Sequence, residues 1–187
     1  MNMNSLEYDH EEYRKLLPLK KYKDTIKTCD KNSRKYFISI SFNNKADVFS
    51  RSFSNNILNV FPKSEFHIDI REFPGNDSPS YMIYNRGISA FIQFRLASKS
   101  MEDFLNEVIN DYGALIEIEA VHSFEKGQGA MLVEKLKAFS DKVHVPIFLY
   151  DTNLKSKNYY QNLDFSNTNQ YGNNDEPLLL YKPKENI

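Results

Sequence analysis

The chain has 187 residues, 41% apolar, 26% charged and 14% aromatic, with a formal net charge of −1; that suffices for one domain with a sizeable core and gives no whole-chain preference for nucleic acid or an anionic membrane. Cys29 is the only cysteine, which excludes an internal disulfide and a thiolate zinc cluster, and His10, His67 and His144 have no ligand spacing, so no metal is expected. No apolar run approaches the roughly 20 residues of a membrane span and the first residues have no continuous apolar stretch, so the expectation is a reduced, cytoplasmic protein.

Residues 1–35 read as an N-terminal extension. A helix is predicted at about Leu6–Leu17, stopped by Pro18, followed by the lysine-rich KKYKDTIKTCDKNSRK, whose charges alternate with polar residues as in a solvated connector, a nucleic-acid patch being the alternative. The main domain is expected over 36–187. YFISISF (Tyr36–Phe42) has the β-branched and aromatic content of a strand. Ala46–Phe61 has helical apolar spacing closed by Pro62, and FHIDIREF alternates like a half-buried strand or a connecting extended segment. PGNDSPS (Pro74–Ser80) is a loop, and Tyr81–Ala97 a hairpin turning at Asn85-Arg86-Gly87. SMEDFLNEVINDYG predicts a helix with Ser100 as N-cap, Asp103 in the capping-box position and Gly113 past its end. Ala114–Val121 is the next strand, GQGAMLVEKLKAFSDK a helix and HVPIFLYD an apolar strand. LKSKNYYQNL reads as a short helix, followed by DFSNTNQYG and a last strand in EPLLLYKPK. Together these predict an α/β protein of the α+β type, with a mixed, mainly antiparallel sheet flanked by helices.

The glycines of Gly127-Gln128-Gly129-Ala130 stand between a strand and an amphipathic helix. A helix N-terminus has unpaired amides and a partial positive charge, and glycine lets a phosphate approach them without a Cβ in the way. The same two glycines also suit a tight turn chosen for chain geometry alone. A P-loop would need Lys followed by Ser or Thr after Gly129, where Ala130 and Met131 stand. A dinucleotide fingerprint would need a third glycine, where Leu132 stands.

FEKGQGAML, taken with the downstream NLKSKNYYQNLDF, resembles the GNAT superfamily of N-acetyltransferases over about Tyr81–Lys182. That family has a Q/R-x-x-G-x-G/A turn after its fourth strand and an N-x-x-A/S-x-x-Φ-Y-x-x-x-G-F segment after its fifth. Phe124 stands at the Gln/Arg position and Asp164 at the second motif's glycine. The resemblance implies a GNAT-like sheet and acetyl-CoA as co-substrate, its pyrophosphate held by Lys126, Gly127, Gln128, Gly129 and Ala130. It also implies that a backbone amide at Val121 or its neighbour serves the thioester carbonyl, that Asn153 contacts the cofactor arm or supports the loop around it, and that Ser156 belongs to the cofactor site. Asn153 would equally suit a helix N-cap.

Acetyl transfer needs a neutral amine, a donor for the carbonyl oxygen and an acid for the departing sulfur. The resemblance implies Tyr160 as that acid, with Tyr159 in the core. Glu117 and Glu119 lie two apart on a strand and so share a face, where desolvation and mutual repulsion would make one a general base or both a cation site; a solvated strand face is the plain alternative. His122 is a third candidate base. Cys29 has neither a helix start nor a histidine partner and is not expected to be a nucleophile. The implied function is acetylation of an amine by direct attack in a ternary complex, the acceptor being a small molecule or a protein N-terminus, with a homodimer open. The alternatives are a non-catalytic GNAT-fold module binding CoA or a protein, and an α/β domain binding another nucleotide at the glycine turn.

Overall fold

The structure, a computed structural model, describes residues 3–73, 77–152 and 158–184. Within them run α1 (Met3–Leu16), α2 (Lys20–Ser41), α3 (Val48–Val60), β1 (Phe66–Arg71), β2 (Ser80–Asn85), β3 (Ala90–Ala97), α4 (Asp103–Tyr112), β4 (Leu115–Ser123), α5 (Gln128–Val143), β5 (Ile147–Tyr150), β6 (Ser166–Tyr171) and β7 (Pro177–Tyr181). The strands form one sheet in the order β1-β2-β3-β4-β5-β7-β6. Every pairing is antiparallel except β4 with β5. The expected mixed, mainly antiparallel α+β architecture is the one observed. Among the described residues no helix is long and apolar enough to cross a membrane.

One face of the sheet holds the main core. Ile68, Ile83, Ile92, Phe94, Ile116 and Ile118 pack there against Phe53 and Ile57 of α3 and Leu132, Leu136 and Phe139 of α5. The other face is covered in two patches. Leu105, Val108 and Ile109 of α4 cover Leu115, Phe148, Leu178 and Leu180, while Leu17 and Ile26 cover Met82, Tyr84 and Phe91. Along β3 and β4, between those patches, the same face carries Gln93, Arg95, Glu117 and Glu119.

The largest correction concerns α2. Lys20–Ser41 is one 22-residue helix that absorbs both the expected connector and the expected strand Tyr36–Phe42, and it runs across position 35. Its buried residues, Ile26, Asp30, Ser33, Arg34 and Phe37, recur at helical spacing, but three of the five are polar and so escape an apolar count. They are polar because α2 lies along β1, the edge of the sheet. Asp30 Oδ1 accepts the Ile68 N–H at 2.8 Å and Ser33 Oγ the Ile70 N–H at 3.2 Å, so side chains satisfy edge amides that have no neighbouring strand. Arg34 donates to Asp30 Oδ1 at 2.8 Å and to the Phe61 and Phe66 carbonyls at 2.9 and 3.0 Å. Burial alone would raise the Asp30 pKa; the nearby His67, the Ile68 amide and the Arg34 guanidinium outweigh it and hold the carboxyl below its ordinary value. Phe66, His67, Ile68 and Asp69 are consequently all buried, where a half-buried strand was expected.

Smaller departures follow local chemistry. The N-cap of α4 is Glu102, without a side-chain cap bond, in place of Ser100. The Ser100 hydroxyl accepts the Glu102 N–H at 3.1 Å, one residue short of the helix, while its own N–H donates to Asn106 Oδ1 at 2.9 Å and its carbonyl accepts from Asn106 Nδ2 at 2.8 Å. Gly113 ends α4 in the left-handed region, φ 83°, as its position predicts. DFSNTNQYG contains β6, an exposed polar edge strand with no apolar alternation to reveal it. Of LKSKNYYQNL, residues 153–157 lie outside the described residues, and the rest forms a turn leading into a 3₁₀ helix at Gln161–Leu163.

Candidate functional site

At the end of β4 the chain passes through Phe124, Glu125 and Lys126 into the glycine turn. Gly127 is the N-cap of α5 with φ 83°, a conformation in which an L side chain is strained. Gly129, one residue into the helix, is buried: a Cβ there would stand 3.3 Å from Ser123 Cβ, 3.4 Å from the Tyr159 hydroxyl and 3.5 Å from Val121 Cγ1. Each glycine thus has a geometric reason of its own. The first turn of α5 has no side-chain cap, and the Gln128 amide donates to the Glu125 carbonyl at 3.3 Å, while the positive end of the helix dipole lies at the exposed Gly127. Gln128 Oε1 accepts from Asn85 Nδ2 at 3.0 Å, tying the turn to the β2–β3 hairpin, and Lys126 is exposed beside it.

The sheet opens beside this turn. β4 and β5 are in register only at Ile116 with Ile147 and Glu117 with Phe148, yet β4 continues to Ser123. Among the described residues, Ile118–Ser123 has no strand partner on that side, so part of its backbone is free to pair with an extended ligand. On the other side, Phe94 pairs with Ile118 but Gln93 with Ala120, so Glu119 is the extra residue of a bulge. Strand alternation keeps Glu119 on the same face as Glu117, and the bulge brings Ala120, rather than Glu119, opposite Gln93.

The two carboxylates differ in their partners. Glu119 Oε2 accepts from the buried Ser80 Oγ at 2.6 Å and from Gln93 Nε2 at 2.9 Å. Glu117 Oε2 accepts from Arg95 Nη2 at 2.6 Å and Nε at 2.7 Å, and Arg95 Nε also lies 3.6 Å from Glu119 Oε1. Burial raises the Glu117 pKa above its ordinary value, Arg95 opposes the rise and Glu119 adds to it. Tyr150 closes this group by donating to Glu102, the N-cap of α4. Neither glutamate is a bare solvated residue; both belong to a hydrogen-bonded cluster.

The adjacent tyrosines are placed differently from expectation. Tyr160 packs against the main core, its ring 5.7 Å from Phe165, and burial, then Tyr159 and Asp151, raise its pKa. It is Tyr159, expected in the core, whose hydroxyl reaches the glycine turn. Asp164 adopts the left-handed conformation, φ 64°, that the resemblance requires of a glycine there. Its carboxylate accepts from the buried Lys137 Nζ of α5 at 2.9 Å, which joins the two motif segments. Asn153 and Ser156 lie outside the described residues.

His122 is buried and neutral rather than a loop base. Its Nδ1 is 2.8 Å from His10 Nδ1 of α1, and burial, then His10, lower its pKa to about 4. His10 also stacks on Phe124 at 4.7 Å between ring centroids, so the residue at the Gln/Arg position is a platform for α1. No sequence signal linked residue 10 with residue 122. Cys29 sits within α2, where burial and the Asp69 carboxylate raise its thiol pKa, the opposite of activation. Among the described residues no group of three or more His, Cys, Asp or Glu is arranged to hold a metal ion. No protein-family model matches the chain, and no curated protein is similar to it.

Proposed function

We propose that the chain is a GNAT-type, acetyl-CoA-dependent N-acetyltransferase. The observation that carries this is the gap between β4 and β5 beyond Glu117, placed beside the glycine-opened N-terminus of α5. The residues fit the co-substrate: Gly129 lets Ser123, Val121 and the Tyr159 hydroxyl close in on the start of α5, and the exposed Lys126 ammonium adds positive charge for the pyrophosphate. Tyr159 is positioned to donate to the same group. The edge at Ile118–Ser123, which has no strand partner among the described residues, would hold the extended arm, with the amide of Val121 or its neighbour donating to the thioester oxygen.

Glu117 would take the proton from the incoming ammonium, its raised pKa suiting a base better than the thrice-contacted Glu119, which orients Gln93 and Arg95. The nitrogen–carbon bond forms as the carbon–sulfur bond breaks, and Tyr160 protonates the departing sulfur. The phenol is protonated at neutral pH, but the burial that raises its pKa also weakens it as an acid, so the transfer depends on a thiolate whose basicity is raised by desolvation in the same opening.

A second reading, a non-catalytic CoA-binding or protein-binding module, is favoured by Phe124, which serves α1 at a position where the family places a polar residue. Calorimetry with acetyl-CoA tests the shared premise. Wild type should bind saturably and Gln128→Glu should bind at least ~10-fold more weakly, because a carboxylate at the helix start stabilises α5 but repels phosphate. No binding to folded wild type ends both CoA readings. Given binding, Tyr160→Phe separates them: an enzyme loses turnover across an amine panel while retaining CoA affinity.

A further inference from the structure

The charge of this chain is unevenly placed. Between Lys20 and Lys45 stand eight basic and two acidic residues, a net charge of +6, against −7 for the rest of a chain whose total is −1. The structure turns that composition into a surface. Lys20, Lys27, Lys31, Lys35, Ile38 and Phe42 follow one another at steps of seven, four, four, three and four residues, which puts them on a single stripe of α2. All six are exposed, on a flank of α2 beside the face that covers β1. The only acid among them, Asp24, is shared with Lys27 at 3.8 Å.

The stripe ends in apolar side chains that the fold does not use. Phe42 is 82% exposed, Ile38 47% and, at the start of α3, Val48 73%. Phe42 and Val48 face a common hollow with Arg51 at the α2–α3 junction. A lysine row running into an exposed aromatic and aliphatic tip combines an attraction for anionic headgroups with groups able to enter the headgroup–acyl boundary. Nucleic acid would be served by the lysines alone and gives Ile38 and Val48 nothing to bury against.

We propose that α2 and the α2–α3 junction form a docking surface for an anionic lipid bilayer, with the lysine row on the headgroups and Phe42, Ile38 and Val48 inserted. The association is peripheral and electrostatic, consistent with a chain whose overall charge is near zero. It is independent of the acetyltransferase reading, because none of these residues lies at the glycine turn, the β4–β5 gap or the carboxylate cluster.

The test is co-sedimentation of the full chain with vesicles of about one-third phosphatidylglycerol in phosphatidylcholine, at low and high salt. Vesicles of phosphatidylcholine alone and a single-stranded RNA serve as competitors. Lys31→Glu/Lys35→Glu and Phe42→Ser are compared with wild type, folding being checked by circular dichroism. The expected result is binding to the anionic vesicles only, lost in high salt and weakened ~10-fold in both variants. Absence of vesicle binding by folded wild type overturns the proposal. So does binding that Phe42→Ser leaves intact, and so does RNA displacing the vesicles with Lys31→Glu/Lys35→Glu alone abolishing RNA binding, which would make the stripe a nucleic-acid surface.

Discussion

His122 shows how one residue's surroundings decide its chemistry. A histidine on a strand end is a plausible base from sequence, but Tyr13, Phe91 and His10 enclose this one, with ring centroids 5.4, 4.9 and 5.0 Å away. Burial, then His10, disfavour its charged form and bring its pKa to about 4 from an ordinary 6.5. The unfolded chain therefore binds a proton at a higher pH than the folded one. The stability contributed by the neutral ring is complete above about 6.5 and disappears as pH falls towards 4, a span worth roughly 3 kcal/mol at 1.36 kcal/mol per unit. Urea midpoints of wild type and His122→Phe at pH 7.5 and 4.5 check this. The wild type should lose more stability on acidification than the variant, and equal losses would remove His122 from the account. At Gly127 the issue is backbone: Gly127→Ala should cost about 1–2 kcal/mol in thermal or urea melts, because φ is 83°.

At the scale of elements, α2 is where sequence and structure part most clearly. Its C-terminal end, YFISISF including the C-cap Phe42, has strand composition, and an isolated segment gives no reason to prefer helix. Tertiary context overrides that preference, since Phe37 joins the main core while Asp30 and Ser33 meet the edge amides of β1. Removing Asp30 leaves the Arg34 guanidinium buried with one partner fewer and the Ile68 amide without one. Asp30→Ala should therefore lower stability by about 3–5 kcal/mol, whereas Asp24→Ala on the exposed side should stay within about 0.5 kcal/mol. Chemical denaturation distinguishes the two; similar small losses would show that α2 is not the edge cover described. β6 was unreadable for a different reason. A polar edge strand buries little, and only its pairing with β7 defines it.

At the scale of the whole molecule, the relevant feature is a sheet that parts at its one parallel junction. A strand is a stretch of backbone with two pairing edges, and among the described residues β4 uses only one of them beyond Glu117. If acetyl-CoA occupies the opening, amides within Ile118–Ser123 should gain protection from hydrogen exchange when it is added, while those of β1 and β2 should not change. Uniform protection across the sheet would mean general stabilisation, and none at all would place the ligand elsewhere. The Lys137–Asp164 contact bears on the same opening, because it fixes the segment after Tyr159 and Tyr160 to the helix that begins at the glycine turn.

Periodicity and turn chemistry were enough to determine the hairpin, α3, α4, β4, α5 and β5, and with them a mixed, mainly antiparallel sheet. These elements bury apolar residues at regular spacing, and Gly113 and Gly127 mark their ends by a conformation other residues resist. The pairing of Glu117 and Glu119 on one face was legible for the same reason, since side-chain direction follows from strand geometry. Tertiary structure alone decided that Arg95, Gln93 and Ser80 surround those carboxylates, that His10 meets His122 across 112 positions, and that the Tyr159 hydroxyl, rather than that of Tyr160, reaches Gly129. Contacts of that kind join residues on different elements through polar atoms, and a periodic apolar pattern carries no record of which polar side chain will face which.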